Sequence, residues 1–148
     1  MLREAHAIWR DGPFTGEGVL TTASGILSNA KYTFGSPVGL QVNTSPAEML
    51  AAGIASSMSR MVAVEMAKVG IPPIQVETHA LLTLESIGDV IHIVGAQLKI
   101  TARTTDPAHG RFDEAVSVAQ ATCPLLSVMN IDVHCEAKLV SAATPALV

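Results

Sequence analysis

Two cysteines are the residues whose side chains could do nucleophilic or redox chemistry. Cys123 stands at the end of a predicted helix and directly before a proline, and Cys135 lies in an alternating segment beside His134. A thiolate is a nucleophile that peroxides can oxidise, whereas an unreactive buried cysteine simply fills a small place in a core. Both interpretations stay open for Cys123, and a structural role is favoured for Cys135.

Other catalytic or ligand-binding patterns are weak. The five histidines show no His-x-x-x-His spacing and the cysteines no Cys-x-x-Cys spacing, so we expect no metal site and no bound cofactor. No glycine-rich phosphate loop precedes a helix. Ser56 and Ser57 lie in an apolar segment without a Gly-x-Ser-x-Gly motif, which leaves a serine hydrolase as a remote alternative.

The longest apolar segment, residues 45–70, is predicted to be a buried helix around which the fold is built. Ser45 suits the N-cap, the proline after it suits the first helical position, and Glu48 stands where a capping box needs a carboxylate. Gly70 suits a left-handed C-terminal cap. Apolar residues cover nearly the whole circumference, which predicts a central position; they include Met49, Leu50, Ile54, Met58, Met61, Val62 and Met66.

The remaining segments predict an α+β fold with antiparallel sheets and the order βββ-α-ββ-α-β. A single domain is expected over 1–148, with a loose tail at 141–148. Loops are expected at 35–44 and 106–110 and a hairpin turn at Ser86–Asp89. The predicted strands and second helix are Ala5–Trp9, Gly18–Thr22, Ala30–Phe34, Ile74–Leu84, Val90–Thr101, helix Phe112–Thr122 and strand Ile131–Val140.

Composition excludes several classes of protein. The 148 residues carry 9 basic and 13 acidic side chains, a net charge of −4, without a basic run, which argues against nucleic-acid binding. The charged N-terminus and the charges within the long apolar segment argue against export and membrane spanning. Two cysteines without an export signal indicate reduced thiols in a cytoplasm. The residues are 49% hydrophobic and only 3% aromatic, which favours a subunit interface.

An ordered set of motifs, spanning Ala5 to about Leu139, resembles the OsmC/Ohr family of thiol-dependent organic hydroperoxide reductases. The resemblance implies an intertwined homodimer with two long central helices and active sites at the subunit boundary, in proteins of the oxidative or osmotic stress response. The motifs are Gly16-Glu17-Gly18, Ser24-Gly25, Ala30-Lys31-Tyr32-Thr33-Phe34, Asn43-Thr44-Ser45-Pro46-Ala47-Glu48-Met49-Leu50-Ala51-Ala52, Thr122-Cys123-Pro124 and Ile131 to Leu139.

The resemblance also implies roles for individual residues. The family's peroxidatic cysteine, eleven residues after the helix-opening proline, falls on Ser57, and its resolving cysteine falls on Cys123. The family's glutamate after that proline falls on Ala47. Arg10, in an Arg-Asp-Gly turn, resembles the arginine of the Ohr branch, whereas the OsmC branch places its arginine where this chain has Ser36 and Pro37.

Two functional hypotheses follow. In the first, the chain is a peroxidase in which Cys123 acts alone, Arg10 stabilises its thiolate and an external thiol or dithiol resolves the sulfenic acid; an engineered replacement at Ser57 would also fit this hypothesis. In the second, the dimer has lost its reaction and binds a small fatty or aromatic ligand in an apolar pocket lined by Met58, Met61 and the loop at Cys123. Because Ala47 also departs from the family, we interpret Ser57 as natural divergence, which favours the second hypothesis.

Overall fold

The computed structural model describes residues 1–13, 15–33 and 43–143. They form two compact units, Met1–Leu50 and Ala51–Val148, which are described separately. The predicted loop 35–44 lies outside the described residues except at its last two positions, and so do Phe34 and most of the expected tail. Within the described ranges, the predicted order of strands and helices is confirmed.

The first unit contains a three-stranded antiparallel sheet, as predicted. Its strands are β1 (Ala5–Arg10), β2 (Glu17–Thr22) and β3 (Ala30–Tyr32), with β2 in the centre. The rings of Trp9 and Tyr32 lie 5.8 Å apart on this sheet. Gly18 permits this arrangement, because a Cβ at that position would overlap the Tyr32 ring.

The long helix α1 spans Pro46–Lys68 and carries most of the predicted end signals. At its start, the Ser45 hydroxyl accepts a hydrogen bond of 3.2 Å from the backbone N–H of Glu48. The second hydrogen bond of a capping box would run from the backbone N–H of Ser45 to the Glu48 carboxylate. Here that carboxylate instead accepts a hydrogen bond of 2.8 Å from the Thr44 hydroxyl. At its end, Gly70 adopts a φ of +86°, and the N–H of Ile71 donates to the carbonyl of Met66, which is a Schellman cap.

The burial of α1 differs from the prediction. In the single chain one face is buried, whereas most of the remaining circumference is half-exposed or exposed. Apolar residues all round a helix predict that most of its surface is buried in the working protein. They do not predict which face is buried by the helix's own chain. The buried residues of α1 are Ile54, Met58, Val62, Glu65 and Met66.

The second unit is built on a sheet of three strands, β4 (Pro73–Ile87), β5 (Val90–Thr104) and β6 (Asp132–Ser141). β4 and β5 form the predicted hairpin, and Gly88 in its turn has a φ of +64°. The expectation of purely antiparallel sheets is wrong for one pair, since β6 runs parallel to β5. A helical crossover between these strands returns the chain to the same end of the sheet, which permits parallel pairing.

That crossover contains α2 (Phe112–Thr122), whose bounds agree with the prediction, and a 3₁₀ turn at Leu126–Val128. Alternate residues of β5 are buried, as are four residues of α2. The hydroxyl of Ser59 on α1 donates to the hydroxyl of Thr78 on β4 at 2.9 Å.

Among the described residues, no helix is both long enough and apolar enough to cross a membrane.

Candidate active site

Ser57 and Cys123 lie together in the second unit. The Ser57 Oγ is 3.4 Å from the Cys123 Sγ, and either atom can donate the hydrogen bond. The two residues are separated by 66 positions in the sequence. Because α1 presents Ser57 and the end of α2 presents Cys123, the fold brings together the two positions at which the family resemblance places its reacting cysteines.

The segment after α2 fixes the thiol. Cys123 leaves the helix in an extended conformation, with φ −64° and ψ 118°, and the following proline prevents the helix from continuing. The Cys123 carbonyl accepts a hydrogen bond of 3.0 Å from the N–H of Ser127, the middle residue of the 3₁₀ turn. Cys123 is fully buried, whereas Ser57 is only half-buried. Ser57 is therefore the more accessible member of the pair in the single chain.

The chemistry of this pair differs from that of a dithiol. Two neighbouring thiols can pass from sulfenic acid to disulfide, and an external thiol can then reduce the disulfide. A serine hydroxyl has no comparable oxidation states and cannot condense with a sulfenic acid to form a disulfide. It can donate or accept a hydrogen bond. The pair is therefore suited to binding an oxygen-containing group, and it lacks the second sulfur needed for disulfide-coupled reduction.

Arg10 is the last residue of β1 and is exposed, in register with Glu17 of β2. It belongs to the first unit, whereas Ser57 and Cys123 belong to the second, so its role towards the thiol stays a prediction. Ala47 lies in the first turn of α1, as expected.

The two methionines that were expected to line a pocket have different surroundings. Met58 is fully buried on the core face of α1. Met61 lies one helical turn after Ser57, Gly53 lies one turn before it, and both are half-buried like Ser57 itself. Gly53 was not among the residues expected at the site, and Leu125, which faces it, was included only as part of the loop at Cys123. A glycine inside an otherwise helix-favouring segment was the signal that could have drawn attention to this place.

Cys135 has a different environment from Cys123. It lies on β6 and is half-buried. Burial, followed by the nearby charge of Glu136, raises the pKa of the Cys135 thiol, which disfavours the reactive thiolate. Both observations support a structural role. In the part of the chain that the structure describes, no group of three or more His, Cys, Asp or Glu side chains could hold a metal ion.

The proteins that resemble this chain in sequence and those that resemble it in structure are OsmC-like or organic hydroperoxide resistance proteins. No protein-family model matches the chain. In sequence it is 24% identical to peroxiredoxin OsmC of Escherichia coli over 139 residues, which cover 94% of this chain and 97% of that protein.

Among solved structures, an OsmC-like protein of Vibrio cholerae matches with a TM-score of 0.75 at 14% identity, covering 93% of this chain and 99% of that one. The organic hydroperoxide resistance protein OhrB of Bacillus subtilis matches with a TM-score of 0.65 at 21% identity, covering 91% and 98%. The structural likeness shows the fold, and the sequence similarity extends along nearly the whole chain. The chain therefore has the fold of the OsmC-like and organic hydroperoxide resistance proteins, and it is similar in sequence to peroxiredoxin OsmC along nearly its whole length.

Proposed function

We propose that this chain is a ligand-binding member of the OsmC/Ohr family that has lost disulfide-coupled hydroperoxide reduction and serves a stress response by binding a small apolar molecule. The observation that carries the proposal is the hydroxyl of Ser57 at 3.4 Å from the only neighbouring thiol, that of Cys123. The family resemblance puts a peroxidatic cysteine at the position of Ser57, and with a hydroxyl there a catalytic cycle through a disulfide is not available.

The surroundings of the pair support a ligand with one polar end and one apolar end. Ser57 offers a half-buried hydroxyl, and Met61 and Leu125 offer half-buried apolar side chains beside it. Small-molecule sites commonly combine apolar walls with a few placed polar groups. Similar proteins are named for resistance to organic hydroperoxides. We therefore assign the ligand to organic hydroperoxides or to the alcohols that remain after their reduction.

A second candidate is a one-cysteine peroxidase. In that reaction the Cys123 thiolate would attack the O–O bond of a hydroperoxide, release an alcohol and become a sulfenic acid, and an external thiol would then reduce it. The Ser57 hydroxyl, 3.4 Å from the sulfur, could donate a hydrogen bond to the departing oxygen. The complete burial of Cys123 opposes this candidate, because the hydroperoxide must reach the sulfur.

Binding can be tested with a stable alcohol, 2-phenyl-2-propanol, followed by NMR of ¹³C-labelled methionine methyl groups. We expect saturable shifts of the Met61 methyl, because it lies one turn from Ser57 on the same side of α1. The exposed Met1 serves as an internal control and is expected not to shift. Equal or non-saturable shifts at Met1 and Met61 would contradict specific binding.

The homodimer is also part of the proposal. Near the turn of the β4–β5 hairpin, five large apolar residues are each between 46% and 58% exposed in the single chain. The register places Ile87 and Val90 on one face of the hairpin and Leu84 and Ile91 on the opposite face. Exposed apolar residues on both faces favour a hairpin that another protein covers, and a second copy is favoured because the apolar pattern of α1 also extends beyond its buried face. The five residues are Leu81, Leu84, Ile87, Val90 and Ile91. The cytoplasm remains the expected compartment, and both cysteines are free thiols as a reducing compartment requires.

Charges introduced into this hairpin are expected to prevent dimer formation. The double variant Ile87→Lys, Ile91→Lys places two ammonium groups where apolar contact is proposed, and burying either one is costly. Light scattering coupled to gel filtration should give about twice the mass of one chain for the unmodified protein and the mass of one chain for the variant. Val128→Lys, at a site that is 81% exposed outside the hairpin, is the matched control and should remain dimeric. A monomeric unmodified protein would refute the dimer.

A further inference from the structure

An open cleft of about 520 Å³ lies in the second unit, between α2, the 3₁₀ turn and the beginning of β6. Its volume is within the range of small-molecule sites, about 300–1,000 Å³. Neither Ser57 nor Cys123 lines it, so it is separate from the candidate active site. Its apolar walls are Leu126, Ile131 and Val133, and its polar residues include Ser117, Gln120 and Asp132.

Three polar side chains of the cleft are available to a ligand. Among the residues that the structure describes, the Ser117 hydroxyl, the Gln120 amide and the Asp132 carboxylate have no hydrogen-bond or ion-pair partner. By contrast, the hydroxyl of Ser127, which also lines the cleft, already donates to the Pro124 carbonyl at 2.9 Å. The Gln120 amide is half-buried and has lost part of its hydration without gaining a protein partner, which favours a ligand that bonds to it.

The charge around the cleft is negative. In the described part of the chain, Asp132 is the one charged residue that lines it. Asp113, one turn before Ser117 on α2, is also exposed and has no partner among the described residues. The imidazole of His134, the nearest basic group further along β6, is engaged with Glu136 at 3.2 Å. The cleft therefore attracts a cation and repels an anion.

We infer that this cleft binds a small organic cation, a primary ammonium group carried on a compact apolar group. The three N–H donors of an ammonium suit the oxygen atoms of Ser117, Gln120 and Asp132. The apolar group packs against Ile131 and Val133, which are both half-buried. Binding here does not depend on the function proposed above, because the two sites share no residue.

Benzylamine and benzyl alcohol test the role of charge, because they have nearly the same shape and only the amine is a cation at neutral pH. Binding is followed by the same methionine NMR, with Met129, which directly follows the 3₁₀ turn, as the reporter. We expect saturable shifts at Met129 and an affinity about fivefold higher for benzylamine than for benzyl alcohol, the effect of one exposed ion pair. Added salt should remove most of this difference by screening the charges.

Asp132→Asn removes the charge and keeps the shape of the side chain. It should lower the affinity for benzylamine about fivefold and leave that for benzyl alcohol unchanged. Asp89→Asn, in the β4–β5 turn outside the cleft, is the matched control and should change neither affinity. Thermal unfolding of both variants confirms that the fold is retained.

Three results would overturn the cation site. They are the absence of saturable shifts at Met129, equal affinities of the unmodified protein for the two compounds, and an unchanged affinity of folded Asp132→Asn for benzylamine. The first two need no variant, so they decide the question even if Asp132→Asn does not fold.

Discussion

Ser57→Cys is expected to form a disulfide with Cys123 and to give the chain hydroperoxide turnover. The Ser57 Oγ and the Cys123 Sγ are already 3.4 Å apart, so a sulfur at Ser57 needs only a small shift to reach the S–S bond length of about 2.05 Å. Closing a loop of this length would stabilise the oxidised protein by up to about 4 kcal/mol. With a dithiol present, consumption of an organic hydroperoxide should rise from the level of the unmodified protein to repeated turnovers per chain.

The control for this prediction is the double variant Ser57→Cys, Cys123→Ser. It retains the introduced thiol but has no cysteine at the resolving position, so it should form no intramolecular disulfide. Mass spectrometry under non-reducing conditions distinguishes the two oxidised proteins by the loss of two hydrogens. Absence of the disulfide in the single variant, despite an intact fold by circular dichroism, would show that the Ser57–Cys123 geometry does not support the family's chemistry.

Met58→Ala is expected to destabilise the protein by about 2–5 kcal/mol. Met58 is fully buried on the core face of α1, so truncation removes apolar contacts and leaves a cavity. Urea denaturation at one fixed protein concentration measures the loss, because association with a second chain would add to the apparent stability.

Met61→Ala is the matched control for Met58→Ala. Both side chains belong to α1, but Met61 is half-exposed, and its truncation should cost clearly less unfolding free energy. Equal costs for the two variants would contradict the division of α1 into a core face and a half-exposed face.

Local signals account for the parts of the fold that the sequence predicted well. Ser45 and Gly70 act as the caps of α1 because hydrogen bonding at helix ends depends on residues only a few positions apart. The periodicity of α2 predicted its bounds for the same reason. The parallel direction of β6 depends instead on where a crossover of more than twenty residues returns the chain, and no local pattern contains that information.

The candidate site was less accessible to sequence reasoning. Spacing alone cannot pair Ser57 with Cys123, since 66 positions separate them, and only the family resemblance placed both in one site. Met58 and Met61 are both methionines and lie three residues apart on α1, yet Met58 is fully buried and Met61 only half-buried. The difference arises because their side chains point about 60° apart around the helix axis. The sequence pointed to the loop at Cys123 as a whole, and the distance between Leu125 and Gly53 singles out one residue of that loop.

The most direct test of the central claim is the consumption of an organic hydroperoxide by the reduced, unmodified chain with a dithiol present, measured beside Cys123→Ser. We expect both proteins to consume no more hydroperoxide than the dithiol alone, because Ser57 supplies no second sulfur and Cys123 is fully buried. Multiple turnovers by the unmodified chain that disappear in Cys123→Ser would contradict this expectation and would establish a one-cysteine peroxidase instead.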